Sequence, residues 1–321
     1  MRRNLSIGLI GLGAFLLLAG LLVRFYAYPN LAVAPADLNS TTRLEAKGAT
    51  LFNTDPKVLA EMQTDIKVVS VTRGDVKATE KADKKTDGAL VWVNTTKVTS
   101  SDGVDRSLST EQTVTDNVTG QAIKGDNWAE LAFDAVPGAK PEIRRVPVEP
   151  TGQVFKFPFN TEKKTYKFWD GDLAAATDAR FQSVAKIDGL TVYKFVQSIP
   201  ATKIGERTVP ASVFGLKGTK AVTADSIYAN ERTMWVEPKT GTIIDRSDKQ
   251  LSTVEYQGHV IRATDATIAY TDAQVKKNAD ETASKATALG LVHGAGWLTL
   301  AGLGLLALIG GVLLQRRRND V

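Results

Sequence analysis

The chain has 321 residues, 43% of them hydrophobic and 23% charged, with no cysteine, which excludes a disulfide scaffold and a disordered tail. Two histidines without any cysteine leave no material for the usual zinc sites. Arg2, Arg3, Arg316, Arg317 and Arg318, offset by Asp320, supply four of the five net positive charges, so the body between the tails is nearly neutral and lacks the basic surface of a nucleic-acid binder.

Residues 1–4 form a short basic tail, followed by the uncharged stretch Leu5 to Val23. At about 1.5 Å rise per residue this stretch crosses a hydrocarbon layer of about 30 Å. Arg24, Phe25, Tyr26 and Tyr28 follow in the places of interfacial charge and aromatics, and Pro29 marks the exit from the helix. Ala32-Val33-Ala34 resembles a leader cleavage site, so a retained anchor and a removed leader both stay open.

Residues 24–270 read as a strand-rich extracytoplasmic domain. The run Lys77 to Asp87 is too polar to hold a core and reads as a solvated loop or hairpin tip. Leu90 to Val93, with Thr96 and Val98, reads as a strand ending at the turn Asp102-Gly103, and the Pro and Gly content of Pro137 to Pro150 suggests a boundary between two lobes. Leu173 to Val184 reads as a short helix after Asp170-Gly171-Asp172, and Val192 to Val196 as a strand after Asp188-Gly189. Thr233 to Glu237 and Thr242 to Asp245 flank Pro238-Lys239-Thr240-Gly241, where Pro presets the turn entrance and Gly supplies a positive φ at its exit. Leu251 to Tyr256 and Val260 to Tyr270 form the next pair around Gln257-Gly258.

Thr271 and Gln274 have capping-box spacing and open a juxtamembrane helix over residues 271–294. A second span, residues 295–314, ends at the basic tail 315–321; the helix enters it as a stalk or breaks at Gly290, Gly294 and Gly296 into a hinge. Basic residues on the terminal side of both spans predict a two-pass plasma-membrane protein with both termini cytoplasmic. The predicted fold class is a mainly β (α+β) extracytoplasmic domain flanked by one transmembrane α-helix at each terminus. Gly8, Gly11 and Gly13, with Gly302, Gly304 and Gly310, permit close helix packing without forming a continuous GxxxG face.

No nucleophile elbow, metalloprotease helix, phosphate loop or dinucleotide fingerprint is present, and the reading is of a protein that is not an enzyme and needs no cofactor or metal. His259 falls in a turn and His293 at the aqueous edge of the second span. Candidate ligand contacts gather in one region: Phe155, Phe157, Phe159, Tyr166 and Trp169 for apolar surface, Lys163 and Lys164 for an anionic headgroup, and Asp170 and Asp172 for polar groups. Alternating aromatics equally fill a strand core, and Asp170-Gly171-Asp172 equally makes a turn.

The segments Phe157 to Asp170, Val192 to Ala201 and Thr233 to Asp245, together with the two terminal spans, resemble the porin PorA family of actinobacterial envelope proteins, also called the domain of unknown function 3068 family. The resemblance implies an envelope location and a connection with lipoglycan maturation, carries no catalytic residues, and by its label implies a pore. Three functions stay open: a noncatalytic protein that binds or shuttles an amphiphilic lipid or lipoglycan, a homo-oligomeric porin or channel subunit, and a structural envelope scaffold. The expected partners are the lipid bilayer, an envelope lipid or lipoglycan and further copies of the chain.

Overall fold

The computed structural model describes residues 2–55, 57–133, 142–217 and 220–319. The chain divides into two units, Met1–Val33 with Glu281–Val321, and Ala34–Asp280.

In the first unit α1 (Arg2–Leu22) runs into a π-helical turn, Val23–Ala27, and a short α2 (Tyr28–Leu31). The helix therefore outlasts Pro29, which directly follows the π-helical turn and stays within helical backbone. At the other end of the chain α4 (Asp272–His293) stops one residue before α5 (Ala295–Asn319), with Gly294 as the turn between them. Two helical stretches, Asn4–Leu31 and Asp272–Arg316, are long and apolar enough to cross a membrane.

Helices α1 and α5 pack antiparallel through a register that glycines set. A Cβ at Gly13 would lie 2.6 Å from the Gly304 carbonyl oxygen, and one at Gly304 would lie 2.8 Å from that of Gly13. Gly20 meets the Trp297 carbonyl oxygen, and Gly311 meets Ile10 and the Ser6 carbonyl oxygen. Ser6, Gly13 and Gly20 thus oppose Gly311, Gly304 and Trp297 at intervals of seven residues, and the Ser6 hydroxyl donates to the Gly311 carbonyl at 2.9 Å. Without hydrophobic drive between helices in lipid, such backbone approach and interhelical hydrogen bonding are what hold a pair together.

The second unit is built on one twelve-stranded antiparallel sheet. Its strands are β1 (Asn39–Asn53), β2 (Ala60–Gly74), β3 (Ala89–Ser100), β4 (Asp105–Asp116), β5 (Trp128–Phe133), β6 (Glu142–Pro147), β7 (Tyr166–Asp170), β8 (Ala175–Ile187), β9 (Leu190–Pro210), β10 (Ala221–Glu237), β11 (Thr242–Tyr256) and β12 (His259–Tyr270). They lie in the order β6-β5-β4-β3-β2-β1-β12-β11-β10-β9-β8-β7, so first and last strands pair at the centre. The single sheet continues on both sides of Pro137 to Pro150; residues 137–141 of that expected lobe boundary lie outside the described residues.

The sheet also curls. Ile123 N–H donates to the Val114 carbonyl of β4, Ala122 N–H to Gly152, Gln153 N–H to Lys167, and Trp169 N–H to Gln153, each at 2.8 Å. This strap, made of residues around 121–123 and 152–154, joins β4 to β7, which stand nine places apart in the strand order. Gly152 adopts φ +68°, and a Cβ there would meet the Lys167 carbonyl oxygen at 2.5 Å, so only glycine passes at this point.

Two local expectations are overturned. The Lys77 to Asp87 run contains α3 (Val76–Asp83), capped by Asp75 accepting from Ala78 N–H at 2.9 Å, and Ala78 and Ala82 pack on Ala89, Val91 and Val114. Leu173 to Val184 is not a helix: most of it is β8, because pairing with β7 and β9, and the contact of Phe181 with Tyr193 and Phe195, outweigh the helical preference of its alanines. Only half of the expected capping box forms. Thr271 Oγ1 accepts from Gln274 N–H, whereas Gln274 Oε1 turns to accept from Arg43 N–H at 3.0 Å.

The span register is directly testable. Spin labels at Leu5 and Val312, both on exposed positions, are expected to give one short, narrow distance distribution, and Gly13→Leu is expected to broaden and lengthen it, since the added side chain meets backbone.

Candidate functional site

Cross-strand partners share a face, so the register identifies the inner wall of the curled sheet residue by residue. Leu44 faces Val68, Val68 faces Val98, and Val98 faces Ser107. On the other side of the centre Ile268 faces Asp248, Asp248 faces Arg232, and Arg232 faces Gln197. One half of the inner face is therefore rich in aliphatic side chains, interspersed with Ser70, Thr96, Ser107 and Ser109, and the other half is charged. Between them lies a cavity of about 400 Å³, bounded by Leu51, Val68, Val98 and Ile268 on one side and by Tyr228, Arg232, Arg246 and Asp248 on the other.

The charged wall is a connected set. Buried Arg232 donates to Asp170 Oδ2 at 3.0 Å, to Asp248 Oδ1 at 2.5 Å and to Gln197 Oε1 at 3.0 Å. Gln197 passes its own amide hydrogens to the Phe168 carbonyl and the Thr177 hydroxyl. Asp170 also accepts from Tyr228 OH at 3.1 Å and from Leu173 N–H at 3.0 Å, while Asp248 accepts from Asn230 Nδ2 and twice from Arg246. Burial works against ionisation of Asp248, but Arg232 and Arg246 beside it hold its carboxyl well below the ordinary range. Burial likewise opposes the charge on Arg232, and Asp248 and Asp170 outweigh it and push the guanidinium further up. Tyr228 is raised by burial and then by the charge of Asp170.

Asp172 behaves differently. It keeps accessible surface, but that surface borders the cavity, where the surrounding protein restricts hydration; the carboxyl is pushed up to about 6, first by loss of water and then by Asp170. Glu111 of β4, whose Oε2 would lie 3.6 Å from a Cβ at Gly171, is raised by the same two causes, with Asp172 its main charged neighbour. Among the described residues no His, Asp and Glu cluster is arranged to hold a metal ion.

The residues singled out in the sequence do not gather at one place. Asp170 and Asp172 belong to the inner wall, one as an ion-pair partner and one on the cavity surface. Phe157 and Tyr166 pack with Phe168, Phe195, Met234 and Val236 in an aromatic core, where Phe157 stacks on Phe195 with ring centroids 4.6 Å apart. Phe159, Lys164 and Tyr166 border a separate groove of about 680 Å³ with Gln153 and Lys167. Phe155 rests against Trp92, Lys163 lies over the Tyr193 ring at 5.4 Å, and Trp169 is buried in β7.

Sequence reasoning missed Tyr228, Arg232, Arg246 and Asp248, and the aliphatic wall with them. Their signal was the alternation Tyr228, Asn230, Arg232 along one strand, which has the same pattern as a face turned to water.

Two outcomes check this network. Arg232→Met removes the guanidinium shared by two buried carboxylates, leaving Asp170 without a cation and Asp248 with Arg246 alone, and is expected to cost about 3–5 kcal/mol in denaturant unfolding, much of it recovered when Asp170→Asn and Asp248→Asn are added. Asp172 holds its proton up to about 6 when folded against an ordinary 3.8, so the folded chain binds more protons in that interval and stability falls as pH rises from about 4 to about 6. Asp172→Asn is expected to flatten that part of the stability profile.

Comparison with known proteins agrees over nearly the whole length. A family described as Porin PorA matches residues 5–313. A protein named Porin PorA from Corynebacterium amycolatum is 24% identical over 302 residues, covering 78% of this chain and 77% of that protein. With a helix at each end long and apolar enough to cross a membrane and a match of this extent, the chain is a membrane-anchored envelope protein that belongs to the Porin PorA family.

Proposed function

We propose that the protein binds or shuttles an amphiphilic envelope lipid or lipoglycan in the inner cavity of its sheet, with the central domain outside the cytoplasm and both termini inside. The observation that carries this reading is the division of one cavity wall into aliphatic and charged halves. Leu44, Leu51, Ile66 and Val68, with Val98 and Ile268, offer an acyl chain apolar contact among the hydroxyls of Ser70, Thr96, Ser107 and Ser109, while Arg246 and Asp172 offer its head polar partners. Arginines flanking the terminal side of each span support the orientation.

The name of the family and of its Corynebacterium relative supports a second reading, a homo-oligomeric channel. No ionisable side chain interrupts Leu5 to Val23 or Ala295 to Leu314, and the two helices contact each other through backbone, so a conducting path would require several copies.

Native mass spectrometry of the gently extracted full chain tests both. A retained amphiphile is expected on a wild-type chain, and Ser109→Trp or Val98→Trp, each of which fills the cavity, is expected to lower its occupancy at least about tenfold. Unchanged occupancy in both variants would remove the cavity from the function. A fixed ring of copies that gives reproducible conductance in planar bilayers would replace shuttling by the channel.

A further inference from the structure

The inner face of the sheet continues past the cavity. Along β10 the alternation of Arg232, Asn230 and Tyr228 carries on to Ser226 and Ala224, and along β11 that of Asp248 and Gln250 carries on to Ser252 and Val254. The cavity is lined as far as Tyr228 and Gln250. Beyond them the buried pair Ala224 and Val254 packs with Phe214, the last residue of a 3₁₀ turn, Ala211–Phe214, in the connection from β9 to β10. Ala263 of β12 belongs to both places: it lines the cavity and packs against the cluster of Phe214, Ala224 and Val254. Phe214 therefore stands at the end of the cavity, on the face that carries the charged wall at its other end.

Packing holds the turn in that position. Ala211 N–H donates to the Lys220 carbonyl at 2.9 Å, Gly215 N–H to Ser212 at 3.0 Å and Leu216 N–H to Ala211 at 3.3 Å, so among the described residues the backbone hydrogen bonds of the turn stay within the connection itself. Its contact with the sheet comes through side chains: the Phe214 ring lies 5.7 Å from that of Tyr256, and Leu216 joins the same cluster. Val209, Val222 and Ile261 keep the surface around Ala224 and Val254 apolar. A chain reaching this point would meet an aromatic ring in front of further apolar surface. Volume sets how long that chain is. A methylene is close in size to a water molecule, whose share of the liquid is about 30 Å³, so the cavity of about 400 Å³ admits roughly a dozen carbons. Two chains of that length do not fit.

We propose that the cavity takes one acyl chain of about a dozen carbons and that Phe214 is the residue that sets this limit, as a stop packed across the inner face with Ala263 at the junction. A two-chain amphiphile would keep its second chain outside. The inference rests on the amphiphile-binding reading and names the chain class and the residue that selects it.

The test uses the full chain in phosphatidylcholine nanodiscs and monoacylglycerol probes of eight to eighteen carbons, each with a diazirine at the chain end. Cavity labelling is expected to hold up to about a dozen carbons and then to fall about fourfold for each further methylene, which finds burial in the bilayer but none in the protein. At the limit the label is expected on residues 211–216. Truncating a large buried side chain opens on the order of 150 Å³, so Phe214→Ala is expected to extend the limit by about four or five carbons. Ala263→Leu leaves Phe214 in place and narrows the junction from the other side; it is expected to shorten the limit by about three carbons, and it keeps the assignment refutable where Phe214→Ala does not fold. Labelling that does not fall off up to eighteen carbons, or a limit that every folded variant leaves in place, would overturn the stop while leaving amphiphile binding intact. Two probes captured in one cavity would overturn the single chain. Absence of cavity labelling by every probe would sink the amphiphile reading together with the stop.

Discussion

Arg232 is the charge around which the central domain is organised. Taking a guanidinium out of water costs several kcal/mol unless its donors are met, and here they are met by residues on three different pieces of chain: Asp170 at the end of β7, Gln197 on β9 and Asp248 on β11. Satisfying all three fixes how β9, β10 and β11 align and where the turn after β7 sits. A slip by one residue would turn Arg232 to the opposite face and leave two carboxylates buried with insufficient compensation. The charged half of the cavity is thus built into the same contacts that set the strand register.

The aromatic core performs a second, separable task. Phe157 N–H donates to the Gly241 carbonyl, Asn160 N–H to Lys239, and Thr161 N–H to Pro238, so the segment after the strap clasps the tight turn between β10 and β11. Gly241 has φ +72°, and a Cβ there would lie 2.0 Å from the Phe157 carbonyl oxygen. Two of the segments that resemble the family, Phe157 to Asp170 and Thr233 to Asp245, therefore meet as one packing unit. Their prominence reflects how the roll is latched more than what it holds.

Much of the architecture was legible because local chemistry and tertiary context agree. Pro238 and Gly241 announce their turn, Gln257-Gly258 announces the next, and Ala, Lys, Glu and Gln after Thr271 announce α4. Where they disagree, context prevails. The alanines of Ala174 to Ala179 favour helix, yet a strand is required there to pair with β7 and β9. The cavity was hidden for a different reason: Arg232, Arg246 and Asp248 are inward-facing polar residues, and period-two alternation does not reveal which face is the inside. Asp170 and Asp172 were visible as a pair through their turn glycine, but the side chains that pair with Asp170, Tyr228 and Arg232, lie more than fifty residues downstream and only the fold brings them together. In the spans, the seven-residue spacing of Gly13 with Gly20 and Gly304 with Gly311 was present in the sequence, while the matching of one set to the other depends on how the helices meet.

That matching bears on permeation. Because the two membrane helices touch backbone to backbone along their shared seam, no gap remains between them for a file of water, and the surface offered to acyl chains includes residues such as Phe15, Leu18, Leu306 and Leu313. The helix pair of a single copy thereby offers ions no water-filled path along its own seam.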